Sequence, residues 1–368
     1  MNTIRRHHTD YWFTLLVFGL IFFGLIMIYS VSKYYSLDLT DGATDKLYLT
    51  RQLIWVVLGF FVWAVFQAID YRFWLKYSHI MLILTLVLLF LPVILSPFGL
   101  VSAGRWVGFG FAKFQPAEIA KLTFLIYLSA WFGSKEEGSA AIKQMFVPFL
   151  VVTGLVAMVM LLQKDLGTLS VLVVIAASIF VTAGAHLSQL FSGVGLSAFL
   201  LWLAIKIEPY RMERFLTFLN PENNSLSSGY HIRNALIAIG SGGLWGLGFG
   251  QSKQKYLYLP EAHTDSIFAI ICEELGFIRA SFVIVIFVLI AMRGIRIARN
   301  APDLFSRYLA IGITSWIFVQ AMINIAAMLS LVPLTGIPLP FVSYGGSSLL
   351  ILLAAVGILN NVAKHQKT

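Results

Sequence analysis

Apolar residues run along this chain in windows of about twenty, broken by short polar stretches, instead of alternating or recurring on one helical face. Such runs match the length an α-helix needs to cross a hydrocarbon core. Windows of that size predict ten spans, near 11-32, 52-69, 76-95, 115-133, 145-162, 166-185, 188-205, 264-292, 307-330 and 342-362. The predicted fold class is therefore all-α: a polytopic membrane protein of about ten transmembrane helices forming one integral membrane domain over 1-368. A long connection, 207-262, lies between the seventh and eighth. Its segment "GYHIRNALIAIGSGGLWGLGFG" is too apolar for a free loop, so interfacial or re-entrant structure is expected there, shielded by protein.

Composition narrows the class. Hydrophobic residues make up 59% of 368 and charged residues 12%, and mean hydropathy is +0.84; a soluble globule needs more polar cover. The first apolar run lacks a small-residue cleavage site and is expected to be a retained helix. One cysteine, Cys272, excludes an intrachain disulfide. The net charge of +9 is spread over helix ends, with no basic run interleaved with aromatics, so membrane lipid is the expected partner and nucleic acid is not.

Twelve Lys and Arg, from Arg5 and Arg6 through Arg293, Arg296 and Arg299 to Lys364 and Lys367, fall on one side of the predicted bundle, against six in the short loops of the other. The positive-inside rule then puts both termini in the cytoplasm. Counting the six cations of the long loop equally would give a tie, so the orientation rests mainly on "MRGIRIARN".

Ionisable groups inside spans are costly and need a partner, water or a task. In "KFQPAEIAKLTF", Glu118 and Lys121 lie three apart on one helical face, either neutralising each other or serving chemistry. In "QKDLGT", Lys164 and Asp165 form a tight turn where Asp165 suits a helix N-cap. In "LPEAHTDSIFAIICEELGF", Asp265 is expected in the first turn of span eight, as a functional carboxylate or a simple cap, and His263 as a loop hydrogen-bonder. Glu273 and Glu274 follow near mid-membrane, turned about 80° and about 180° from Asp265, where one or both would orient helices or pair across the bundle. Last, "PLTGIPLPFVSYGGSSLL" offers Ser343, Gly345, Gly346 and Ser347 either as backbone donors for an anion or as a close-packing corner. With Arg105, these polar positions gather at one membrane face and suit an amphiphile with an anionic head group.

The blocks "FQPAEIAK", "QKDLGT", the long "GYHIRNALIAIGSGGLWGLGFGQSKQKYLYLPEAHTDSIFAII" and "PLPFVSYGGSSL" resemble the signatures of the SEDS family (shape, elongation, division, sporulation) over nearly the whole chain. Within it, "GLGFGQSKQKYLYLPEAHTD" is similar to the division-type branch, FtsW, more than to the elongation-type branch, RodA. The resemblance implies a peptidoglycan glycosyltransferase that polymerises lipid II onto a growing lipid-linked glycan strand during cell division. The active site would face outward from the bacterial cytoplasmic membrane, and the partners would be a class B penicillin-binding protein and divisome proteins. It implies Asp265 as general base on the acceptor hydroxyl and Lys121 and Glu118 as a catalytic pair, with Lys121 beside Asp265 or the diphosphate; with these, Arg105, Lys164, Asp165, His263, Ser343, Gly345, Gly346 and Ser347 are the expected substrate-binding residues. It fixes no cofactor and leaves room for a divalent cation, Mg or Mn. The alternatives are a lipid II flippase, for which Glu273, Glu274 and Arg279 at depth speak, or a noncatalytic scaffold activating the penicillin-binding protein. Two departures stand out: Ser266 where the family usually shows Phe, expected to loosen packing behind the carboxylate, and Arg279 where a small residue is expected.

Overall fold

The computed structural model describes residues 9–102, 104–109, 112–135, 144–219 and 228–366; Arg5, Arg6, Lys143 and Lys367 of the charge argument lie outside them. Helices α1 (Tyr11–Leu39), α2 (Leu47–Ala68), α3 (Tyr71–Lys76) and α4 (Ser78–Leu95) lead to a small antiparallel sheet, β1 (Val101–Ser102), β2 (Trp106–Phe109) and β3 (Ala112–Phe114). Then come α5 (Pro116–Gly133), α6 (Phe146–Leu162), α7 (Leu166–Thr182), α8 (Leu187–Ile207), α9 (Pro209–Leu219), α10 (Ser228–Gly242), α11 (Ile267–Arg299), α12 (Leu304–Met328) and α13 (Gly346–Lys364). Among the described residues seven helices are long and apolar enough to cross a membrane, and α6 and α7 are shorter apolar helices. With α5, each of the ten predicted spans has its helix.

Local chemistry sets the helix ends. The Asp10 carboxylate accepts from the Phe13 amide at 3.0 Å, Asp303 from the Ser306 amide at 2.8 Å, and Pro116 opens α5 where no amide is needed. α5, α12 and α13 form the buried centre, whereas α8 exposes Phe191, Val194, Phe199 and Trp202 and is apolar nearly all round. That exterior fits lipid, not water. The sheet, the α6–α7 turn, α9, α10 and the 329–345 segment share one end of the bundle, called the site end below. Arg72, Lys76, Lys135, Arg293, Arg296, Arg299, Arg307 and Lys364 gather at the other.

The long connection is neither an independent unit nor a free loop. Its segment 243–248 inserts into a break in α11 at Gly276, whose φ of 79° is open to glycine and costly for other residues. The Leu247 and Gly248 amides donate to the Glu273 and Glu274 carbonyls at 2.9 and 3.0 Å, and the Phe277 amide donates to the Gly243 carbonyl at 2.9 Å. Backbone groups freed by the break thus find partners in the loop. A side chain on Gly276 would collide with the Trp245 and Gly246 backbone.

This insertion explains the two glutamates. Glu273 accepts from the Lys253 amide at 2.9 Å and from the Ser252 hydroxyl, while Glu274 accepts from the Lys255 ammonium at 2.9 Å and the Ser30 hydroxyl at 2.8 Å. All are buried. The predicted mid-membrane depth is corrected: Asp10 pairs with Arg293 at 3.9 Å at the opposite end, and Ser30 follows Asp10 by about 30 Å of helix, a full hydrocarbon thickness. The carboxylates therefore sit at the boundary, clamping the loop. Arg279 is exposed and donates to the Trp245 carbonyl at 3.3 Å, so the inserted loop supplies its partner.

Candidate active site

Asp265 is carried by a turn, not by a helix. α11 begins at Ile267, so the expected cap role for Asp265 is absent, and the helical angles relating it to Glu273 and Glu274 do not apply. The turn is tied down on several sides. Asn324 of α12 donates to the Asp265 carbonyl at 2.7 Å and, with the same amide group, to the Ile337 carbonyl at 2.8 Å. The Thr264 hydroxyl lies 2.8 Å from Glu261 Oε2 and 3.3 Å from Asp265 Oδ1, shared between the two carboxylates. The side chain of Asp265 itself remains half-buried. Burial first, and the Glu261 charge second, push its carboxyl up to about 6, against the opposing pull of Thr264 and Arg105.

Arg105 reaches the same place from the β1–β2 turn. A Cβ placed on Gly336 would lie 3.7 Å from Arg105 Nη2 and 3.7 Å from Asp265 Oδ2, so the lack of a side chain there keeps the space between cation and carboxylate open. Arg105 is aimed by Asp165, whose Oδ1 lies 3.2 Å from Nη1. Asp165 is fully buried, accepts from Gln115 at 2.8 Å, and caps α7 through the Thr168 amide at 3.1 Å. The capping and binding expectations for Asp165 thus merge: one carboxylate fixes a helix start and points a guanidinium.

Beyond Arg105 a cavity of about 670 Å³ opens toward α8 and α9. Arg105, Lys164, Arg211 and Arg214 line it together with Leu201, Ile205, Phe215 and Ile323, and no carboxylate among the described residues does. Arg211 bonds the Ala204 and Leu161 carbonyls, and Arg214 the Leu334 carbonyl, contacts that orient both guanidinium groups. Lys164 is more exposed and pairs with Glu208 at 3.3 Å. Sequence reasoning passed over Arg211 and Arg214 as loop cations. Their three-residue spacing within the amphipathic "PYRMERFLTFL" was the available signal.

The remaining predicted residues lie outside this cluster. Lys121 and Glu118 pair at 2.8 Å in full burial; the ammonium also donates to Gln320 at 2.9 Å and stands over the Trp316 ring. No ion pair joins Lys121 to Asp265 among the described residues. The link is indirect: Gln320 donates to the Pro338 carbonyl at 3.0 Å, next to the carbonyl that Asn324 holds. His263 is buried among the rings of Tyr35, Tyr48 and Tyr344, and burial lowers its pKa, so it packs the turn instead of facing a ligand. The Ser343 hydroxyl accepts from the Leu339 amide at 2.8 Å, the Gly345 amide donates to Gln52 at 3.3 Å, and Gly346 abuts the Trp55 ring. Ser347 is buried beside them. Of the two readings of that corner, close packing is the one these contacts support.

A family model described as a cell cycle protein family (FtsW, RodA, SpoVE) matches residues 11–368. The chain belongs to that family. It is 38% identical to stage V sporulation protein E of Bacillus subtilis, over 99% of this chain and 100% of that protein. It is 36% identical to the probable peptidoglycan glycosyltransferase FtsW of Geobacter sulfurreducens, over 100% and 98%. Among solved structures the fold is similar to a chain of a peptidoglycan synthase complex (TM-score 0.77, 24% identity, 97% and 98% covered) and to the rod shape determining protein RodA of Thermus thermophilus (0.69, 24%, 98% and 98%). These likenesses agree with the multi-pass helical architecture described above.

Proposed function

We propose that this chain is a peptidoglycan glycosyltransferase that polymerises lipid II, with Asp265 as general base. One observation carries the reading: a half-buried carboxylate of raised proton affinity and a guanidinium flank the open space at Gly336, and that guanidinium belongs to a cation-lined cavity with apolar walls. An acceptor hydroxyl at Gly336 would give its proton to Asp265 while its oxygen bonds to the anomeric carbon of the lipid-linked strand. The bond from that carbon to the diphosphate breaks, and the leaving group takes the electron pair. Arg105, Arg211, Arg214 and Lys164 are the groups able to stabilise its charge, and the apolar wall suits the polyprenyl chain. Glu118 and Lys121 act at a remove, by holding Gln320 and the 337–338 backbone against which the base turn rests.

A divalent cation has little to hold it here: among the described residues no three His, Cys, Asp or Glu side chains converge, and Arg105 already stands beside Asp265. The excess of Lys and Arg at the opposite end supports a cytoplasmic location for that end and both termini, with the site facing outward. The likeness to a synthase complex supports a class B penicillin-binding protein and its divisome neighbours as partners. The flippase reading leaned on charged groups at depth, and those are engaged by the inserted loop.

The test is the purified chain, with a class B penicillin-binding protein, and labelled lipid II in detergent. Glycan strands made by the wild type and lost in Asp265→Asn at unchanged thermal stability are expected. Strands that persist in that variant sink the assignment of the base, and lipid II transfer across liposomes without polymer would replace the enzyme by a transporter.

A further inference from the structure

The turn that carries Asp265 is gripped from α10 by two side chains three residues apart on one helix face. Asn234 Nδ2 donates to the Tyr258 carbonyl at 3.1 Å, and His231 Nε2 lies 2.6 Å from Ser266 Oγ. Ser266 is fully buried, and its hydroxyl donates to the Pro260 carbonyl at 3.0 Å, closing the turn on itself. Because that proton is committed to Pro260, the imidazole must be the donor to Ser266, with its hydrogen on Nε2. Burial lowers the His231 pKa to about 4, so the ring stays neutral across the working range. Ser266, adjacent to the base, is therefore not a loose substitute for a larger side chain. It is the acceptor end of a strut from the long connection.

We infer that His231 is a positioning residue for the chemistry at Asp265: through Ser266 it transmits the placement of α10 to the base turn. Asn324 holds the same turn from α12, so the carboxylate is bracketed between a helix of the membrane bundle and a helix of the connection. Any partner that displaces α10 would then retune the base without touching it. The inference rests on the proposed glycosyltransferase reading for its catalytic consequence, while the mechanical coupling stands apart from it.

The experiment compares His231→Leu, His231→Gln and Ser266→Ala in the full chain, with strand formation and hydrogen exchange of the 258–267 segment as parallel readouts. His231→Leu and Ser266→Ala are each expected to lower kcat about ten- to a hundredfold at little change in KM, the cost of a misplaced base. The double variant should be no worse than either single one, because both remove the same link. His231→Gln, whose amide can still donate, should recover most of the rate. Exchange in 258–267 should quicken in His231→Leu and Ser266→Ala and stay unchanged in Asp265→Asn. Wild-type kcat in His231→Leu, where the wild type is active and Asp265→Asn is dead, overturns the inference. Wild-type protein that makes no strands refutes the glycosyltransferase reading instead, and the exchange result then decides the coupling alone: faster exchange upholds it, unchanged exchange overturns it.

Discussion

Asp265 and Glu274 belong to one quoted stretch, nine residues apart, yet their surroundings are opposite. Glu274 is fully buried and takes an ammonium, a hydroxyl and a backbone amide, so its carboxylate has no capacity left for a substrate. Asp265 is half-buried, receives one long hydrogen bond from Thr264, and shares its opening with a guanidinium. A saturated carboxylate holds structure together; an under-satisfied one at an opening is available to move a proton. The same residue class thus divides into clamp and base by what the fold brings to it.

The largest expected effect separates the two directly. Asp265→Asn should reduce strand formation roughly 10²- to 10⁴-fold, the usual contribution of a general base, with the thermal midpoint unmoved. Glu274→Ala should do the reverse, leaving Lys255 buried without its partner and costing about 3–5 kcal/mol of stability; a melting curve in detergent reads it. If Glu274→Ala melts like the wild type but loses activity, the division into clamp and base is wrong.

Acidity sharpens the contrast further. Because Asp265 is raised to about 6 and must be ionised to accept a proton, the rate should hold above neutrality and fall as pH drops through about 6. Glu261→Gln removes a charge that raises Asp265, so its acid limb should move to lower pH, measured as the midpoint of kcat/KM against pH. An acid limb that stays put in this variant would remove Glu261 from the account. The smallest effect belongs to Arg279→Gln. An exposed side chain with one 3.3 Å bond to the Trp245 carbonyl should change stability by only about 0.5 kcal/mol, and activity not at all.

Much of this architecture was legible along the chain because membrane helices announce themselves by length and hydropathy: ten apolar windows became ten helices. Asp165 could be anticipated as a cap from "QKDLGT", and the small sheet positions Arg105 at the face where sequence reasoning gathered the polar residues. Of the two partners expected for Lys121, Asp265 or the diphosphate, the first is not what it contacts here, since spacing along a helix tells which residues share a face but not which neighbour that face meets. Gln320 and Trp316, on another helix, take the ammonium.

The sequence by itself determined the membrane class, the ten apolar windows that became helices and the candidate base, because each depends on local composition or on a contiguous motif. Only the tertiary structure decided that Gly276 breaks α11 to admit a loop, that Arg105 meets Asp265 across Gly336, and that His231 bonds Ser266. Those outcomes depend on backbones and side chains from distant segments meeting within a few ångströms, and no periodicity along the chain encodes such meetings.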